Sequence, residues 1–240
     1  MLEAPVEART FVLVHGAWHG GWCWRRVADR LERLGHRVFT PTLTGLGERA
    51  HLMSAAVDLD THIADVVNLV RYEGLPNIVL VGHSYGGFVI SGVAEQEEAA
   101  IASFVLLDAF VPEDGDSMAT IGTPATRDAI AAAVQRGDTT LPPRPAEFFN
   151  VNAADRAWVD RLCGPHPLGT FLQPVKLTGA RERIRGRAYI RASAYPNAVF
   201  DAGAAKLKAR AGWRAYDVPC GHDVMVDMPD RLVEILLEVA

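Results

Sequence analysis

Short, almost wholly apolar runs recur along the chain: Phe11 to Val14, Arg37 to Thr40, Ile78 to Val81, Phe104 to Leu107, Ala188 to Ile190 and Trp213 to Val218. Val, Ile, Leu and Phe dominate them, a pattern that predicts strands buried on both faces, the mark of a parallel sheet. Between the runs lie stretches with apolar residues every three or four positions: Trp22 to Leu34 ending at Gly35, Asp60 to Tyr72 ending at Gly74, Ser84 to Ala94, and Pro229 to Val239. Their spacing predicts helices. Regular alternation of strand and helix predicts an α/β fold with helices on both faces of a mostly parallel sheet.

The alternation stops at about Pro112 and resumes after Arg185. Eight of the 14 prolines fall in that stretch, and Phe148, Phe149, Trp158 and Phe171 stand among short helical pieces with no strand pattern. It reads as a helical cap insertion, residues 112–185, laid over a core made of residues 1–111 and 186–240. A length of 240 residues with 49% hydrophobic content suits one such domain.

Charge and cysteine usage narrow the function classes. With 24 Lys plus Arg against 29 Asp plus Glu, the formal charge is −5 and no basic cluster stands out, so no nucleic-acid partner is expected. No apolar run approaches the ~18 residues of a membrane span, and Met1 to Thr10 lacks the basic-then-apolar pattern of a leader. Cys23, Cys163 and Cys220 are odd in number and far apart, which fits a reducing compartment and no zinc site. These features predict a cytoplasmic protein with no membrane partner, metal or other cofactor, whether monomer or homodimer.

The strongest chemical signal is Gly82-His83-Ser84-Tyr85-Gly86-Gly87, directly after the strand ending at Val81 and directly before a helix. In that setting Gly-x-Ser-x-Gly is a nucleophile elbow, a tight turn that lifts the serine to the top of the sheet. A serine hydroxyl is a weak nucleophile until a base takes its proton. His222, in Pro219-Cys220-Gly221-His222-Asp223, lies just beyond the last strand and is the expected base. His15 and His83 are expected to brace loops, His36, His51, His62 and His166 to pack or lie on the surface, and His19 to line the pocket or pack. An oxyanion needs two donors: the N–H of Tyr85, after the nucleophile, and that of Ala17, in the loop His15-Gly16-Ala17-Trp18. Gly45-Leu46-Gly47-Glu48-Arg49-Ala50 matches a dinucleotide fingerprint loosely, but it starts several residues past a strand and no helix clearly opens on it.

The run Phe11 to Trp24, the Gly82 to Gly87 elbow and Gly221-His222-Asp223 together resemble the α/β-hydrolase superfamily. The branch they resemble holds methyl-salicylate-type esterases, hydroxynitrile lyases and small bacterial esterases of the carbendazim-hydrolase kind. The resemblance implies Ser84 as nucleophile, His222 as base, and Ala17 and Tyr85 as oxyanion donors. The lyases carry Thr where this chain has Gly16 and Lys where it has Asp223, which disfavours lyase chemistry. In the esterases the triad acid follows the strand matching Ala188 to Ile190, yet Arg191 to Asn197 contains no carboxylate.

The acid is therefore expected at Asp108, which closes the strand Phe104 to Leu107, a position some α/β-hydrolases use. Asp201, which looks like a helix N-cap, Asp217 in the last strand, and Asp223 beside the histidine are its rivals. Trp18, His19, Phe110, Phe148, Phe149, Trp158 and Met225 are the expected pocket residues, with Arg144 and Arg161 in solvent. The expected activity is hydrolysis of a small uncharged carboxylic ester or carbamate through an acyl-enzyme, without a cofactor. A cofactor-free lyase or oxygenase and a hydrolase-like ligand receptor are the alternatives.

Overall fold

The computed structural model describes residues 8–240. Met1 to Glu7, most of the stretch examined for a leader, lie outside the described residues. Six parallel strands form the main sheet: β1 (Thr10–Val14), β2 (Arg37–Phe39), β3 (Ile78–His83), β4 (Ile101–Leu107), β7 (Gly186–Ala192) and β8 (Arg214–Val218). Their order is β2-β1-β3-β4-β7-β8. Inner strands β1, β3 and β4 are apolar and buried almost throughout, as expected. The edge strands differ: β2 has no fully buried residue, and in β8 only Val218 is buried. An edge strand has a neighbour on one side only, so an apolar run there need not be covered on both faces.

The helices α1 (Arg25–Arg33), α2 (Leu59–Tyr72), α3 (Gly86–Glu97), α9 (Ala198–Lys208) and α11 (Pro229–Val239) belong to this layer. In α2, Leu59, Ile63, Val66, Val67 and Val70 are buried at helical spacing. The Asp58 side chain accepts from the Thr61 N–H, while the Thr61 side chain reaches back to the Asp58 N–H, closing a capping box. Trp22 belongs to a 3-10 turn, Gly21–Trp24, so α1 starts later than its pattern predicts.

Between β4 and β7 run α4 (Met118–Ile121), α5 (Pro124–Arg136), α6 (Arg156–Leu162), α7 (Gly169–Leu172) and α8 (Ala180–Arg183). The absence of strands expected there is corrected by a two-stranded antiparallel ribbon, β5 (Thr140–Leu141) with β6 (His166–Pro167). Two residues per strand are too few to show an alternating pattern. The ribbon lies against the loop after β1: Trp18 Nε1 donates to the Leu141 carbonyl, and Gly164 N–H donates to the Trp18 carbonyl. A last short helix, α10 (Val224–Asp227), precedes α11.

Strand order reverses between β1 and β3, because β1 pairs outward with β2 and β3 pairs outward with β4. The loops leaving the C-terminal ends of β1 and β3 therefore part there and open a crevice, the place where open α/β sheets bind ligands. The two segments singled out for chemistry, His15 to Trp18 and Ser84 to Tyr85, are those loops.

Candidate active site

Ser84 follows β3 directly and has φ +55°, in the left-handed region that non-glycine residues rarely adopt. Three of the five described non-glycine residues with positive φ, Trp18, Ser84 and Asp108, surround this crevice, where strain is held by the packed elements on either side. A Cβ at Gly82 would lie 2.7 Å from the Gly86 carbonyl oxygen, and one at Gly86 would lie 2.9 Å from those of Val14 and His15. The turn is too tight for side chains at either glycine, as its sequence predicts.

His222 Nδ1 donates to Asp108 Oδ2 at 2.6 Å, and both residues are buried. Asp108 Oδ1 accepts from Arg191 Nη1 at 2.7 Å and from the Ala192 N–H at 3.1 Å. Asp201 pairs with the far side of Arg191 and its side chain is 63% exposed; Asp217 is exposed. Asp201 is also not the cap of α9: the Asn197 side chain accepts from the Val199 and Phe200 N–H groups instead. Asp223 turns away from the His222 ring to His19.

The His222 ring is fixed by its neighbours. Phe200 stacks on it with centroids 5.3 Å apart, Phe149 at 5.5 Å, and Tyr195 and His83 pack at 4.8 and 4.4 Å. Its backbone is held as well, because His83 Nε2 donates to the His222 carbonyl and the His222 N–H donates to the Phe149 carbonyl. Burial lowers the His83 pKa far below the usual histidine value, so His83 braces this loop as a neutral ring.

Three other histidines set the loop after β1. His15 Nδ1 donates to the Gly16 carbonyl while its Nε2 accepts from the Leu43 N–H, and burial lowers its pKa to about 3. His19 Nδ1 donates to the Ala17 carbonyl. His166, from β6, accepts from the Trp18 N–H on Nδ1 and donates from Nε2 to Thr170 Oγ1. With these peptides oriented, the Ala17 and Tyr85 N–H groups make no hydrogen bond among the described residues, although both residues are buried. Buried N–H groups without partners are rare. His62 is also buried, with Nδ1 3.0 Å from the Tyr85 hydroxyl, and burial lowers its pKa to about 4.

His19 carries the opposite electrostatics. Burial opposes its charge, but Cys163 and Asp223 beside it prevail and raise its pKa well above the usual value. Asp223, desolvated yet paired with His19 at 3.1 Å, is held below the usual carboxylate range.

A narrow cavity of ≈ 50 Å³ joins Ser84 and His222, with Ala17, Trp18, Tyr85, Phe110, Phe148 and Phe149 among its walls. His19 lines a smaller recess beside Ser84 and His222. Two expected pocket residues lie elsewhere. Trp158 packs edge-on against Trp22 and beneath Arg26, and Met225 is wholly buried in α10; helical packing takes both away from the crevice. Arg144, expected in solvent, lines the cavity, whereas Arg161 is exposed. Sequence reasoning also missed Met118, Thr123, Thr126, Tyr195, Asn197 and Phe200 as lining residues. Only the Pro-Pro-Arg-Pro run around Arg144 carried a local signal; the others reach the site through tertiary packing. Gly47 lines surface clefts away from Ser84. No described helix is long and apolar enough to cross a membrane, and no cluster of three or more His, Cys, Asp or Glu suited to a metal occurs among the described residues.

Known proteins share this architecture. The chain is 47% identical to a carbendazim hydrolyzing esterase of Nocardioides over 94% of its own length and 97% of that protein. It is 37% identical to methylesterase 1 of Arabidopsis thaliana, a match spanning 43% of this chain and 40% of that one. Among solved structures, an extracellular alpha/beta-hydrolase from a Paenibacillus species superposes with a TM-score of 0.84 at 23% identity, covering 97% of this chain and 99% of that one. The model of the alpha/beta hydrolase family matches residues 11–235, and this chain belongs to that family.

Proposed function

We propose that this protein is a serine hydrolase that cleaves small carboxylic esters or carbamates through an acyl-enzyme. The observation that carries the reading is the His222 imidazole, held by Asp108 at Nδ1 in the cavity that Ser84 lines. With Nδ1 donating, Nε2 is the basic nitrogen. Ser84 Oγ attacks the carbonyl carbon as His222 Nε2 takes its proton. The free Ala17 and Tyr85 N–H groups receive the oxyanion, and their fixed orientation means little reorganisation as charge develops. The proton then passes to the leaving alcohol or amine, and a water activated by the same nitrogen releases the acyl group and restores Ser84.

The esterase relatives support hydrolysis, and the aromatic walls around the nucleophile suit an aryl or alkyl group. The segment 112–185 acts as the cap and adds Phe148 and Phe149 to walls that Trp18, Tyr85, Phe110, Tyr195 and Phe200 supply from the core. The free Cys23, Cys163 and Cys220 fit work in a reducing compartment. Exposure to a fluorophosphonate followed by peptide mass spectrometry tests the reading, together with turnover of an ester and carbamate panel. Adduct on Ser84 with turnover is expected; modification of Cys163 or Cys220 with Ser84 untouched would overturn it.

A further inference from the structure

Arg144 stands between β5 and the 3-10 turn Ala146–Phe149, in the run Pro142-Pro143-Arg144-Pro145. Each proline ring sets its own φ, and the proline that follows Arg144 keeps Arg144 itself out of helical conformations. The side chain therefore starts from a stiff backbone. Its guanidinium carbon lies 4.9 Å from the centroid of the Phe148 ring, a cation–π contact.

The guanidinium N–H donors are almost unused. Nη2 reaches the Ala125 carbonyl only at 3.4 Å, and Arg144 makes no ion pair among the described residues. Arg26 and Arg49, half-buried like Arg144, each sit on an aspartate. Arg144 is the sole Lys or Arg lining the Ser84 cavity, and no carboxylate lines it. Asn197 points its Oδ1 at the start of α9 and turns its NH2 toward the Tyr195 oxygen, which leaves the Tyr195 O–H as a further donor in the cavity wall. Guanidinium and phenol together offer donors in excess, and a wall of donors complements an acceptor.

We propose that this wall is a binding subsite for a hydrogen-bond acceptor, and that the preferred substrates are aryl or heteroaryl esters or carbamates whose ring carries a second acceptor bound by Arg144. The proposal rests on the hydrolase reading above and adds the group that lies away from the scissile bond. A neutral ring nitrogen and a ring carboxylate share that acceptor chemistry.

Three methyl esters with one scissile group separate the possibilities: methyl benzoate, methyl isonicotinate and monomethyl terephthalate. Their kcat/KM values are compared in the wild type, Arg144→Gln and Arg144→Lys. For any ester not turned over, the concentration that half-protects Ser84 from fluorophosphonate replaces kcat/KM. Each acceptor-bearing ester is divided by methyl benzoate within one variant, so intrinsic ester reactivity cancels when variants are compared. In the wild type at least one ratio is expected to exceed its Arg144→Gln value by about tenfold, the scale of one good charge-assisted contact. A fall confined to the isonicotinate ratio assigns the subsite to neutral acceptors, and one confined to the terephthalate ratio assigns it to carboxylates. Arg144→Lys retains more of the carboxylate ratio than of the neutral one, because it keeps the charge and loses the planar fork. Ratios that stay within twofold in Arg144→Gln for both esters overturn the proposal. No turnover and no Ser84 adduct in the wild type would overturn the hydrolase reading itself.

Discussion

Arg191 Nη1 lies 2.7 Å from Asp108 Oδ1, on the carboxylate oxygen that His222 does not use. The arginine also donates to the Ala192 and Tyr195 carbonyls and to Asp201, so one buried guanidinium fixes Asp108 and the turn that carries Tyr195 into the cavity. Removing it leaves Asp108 buried with an uncompensated charge. Arg191→Met is expected to lose about 3–5 kcal/mol, the usual cost of breaking a buried pair by deleting one partner. Asp201→Asn breaks only the half-exposed side of the network and is expected to cost less than about 1 kcal/mol. Urea unfolding of both variants checks this, and equal midpoints would contradict it.

Asp108→Asn keeps the shape of the side chain and removes its charge. With Asn in place, the His222 tautomer is no longer dictated and the imidazolium loses its counter-ion, so kcat is expected to fall by about 10²–10⁴. Ser84→Ala should lower kcat by about a thousandfold or more and abolish fluorophosphonate labelling. A collapse in Asp201→Asn with normal turnover in Asp108→Asn would move the acid elsewhere.

His166 reaches the loop after β1 by accepting the Trp18 N–H, while its ring stacks on Phe171 at 4.3 Å. His166→Phe preserves the stacking and deletes the acceptor. The loosened loop should misplace the Ala17 N–H, and kcat is expected to drop between about tenfold and a hundredfold. Steady-state kinetics and the rate of Ser84 labelling check this; unchanged values in both would show that the loop holds its shape without the bond.

Buried neutral histidines make the fold sensitive to acid. His15 and His62 have pKa values lowered by burial to about 3 and about 4, while an unfolded chain protonates near 6.5. Below pH 6.5 the unfolded state binds more protons at these sites, so their contribution falls as pH drops toward 4. His19 works in the opposite sense: its raised pKa gives stability fully present below 6.5 and lost as pH rises through the folded value. His83 and His166 are lowered like His15, so the acid-labile set outnumbers His19. Tm is expected to fall from pH 6.5 to 4.5, and less steeply in His62→Gln. A flat Tm over that range would contradict the assignment.

The local residues determined much of this protein. Apolar runs such as Ile78 to Val81 can satisfy their backbone and bury both faces only inside a parallel sheet, so the layer architecture could be read from them. The Gly82 to Gly87 turn is local in part: Gly82 must clear the Gly86 carbonyl within the turn, whereas Gly86 makes room for the Val14 and His15 carbonyls of another loop. Asp108 and His222 were accessible because each ends or follows a strand whose C-terminal end the fold turns toward the crevice. Tertiary structure decided the rest. Trp158 and Met225 carry the same apolar character as Phe149 and Phe200, and only helix packing sends Met225 into the core and Trp158 against Trp22, while it brings Phe149 and Phe200 onto His222. Arg191 and His166 act across separations that no periodicity records: Arg191 meets Asp108 from 83 residues away, and His166 meets Trp18 from 148. A hydrogen bond depends on where two chain segments meet in space, and sequence spacing constrains that only within a single helix, strand or turn.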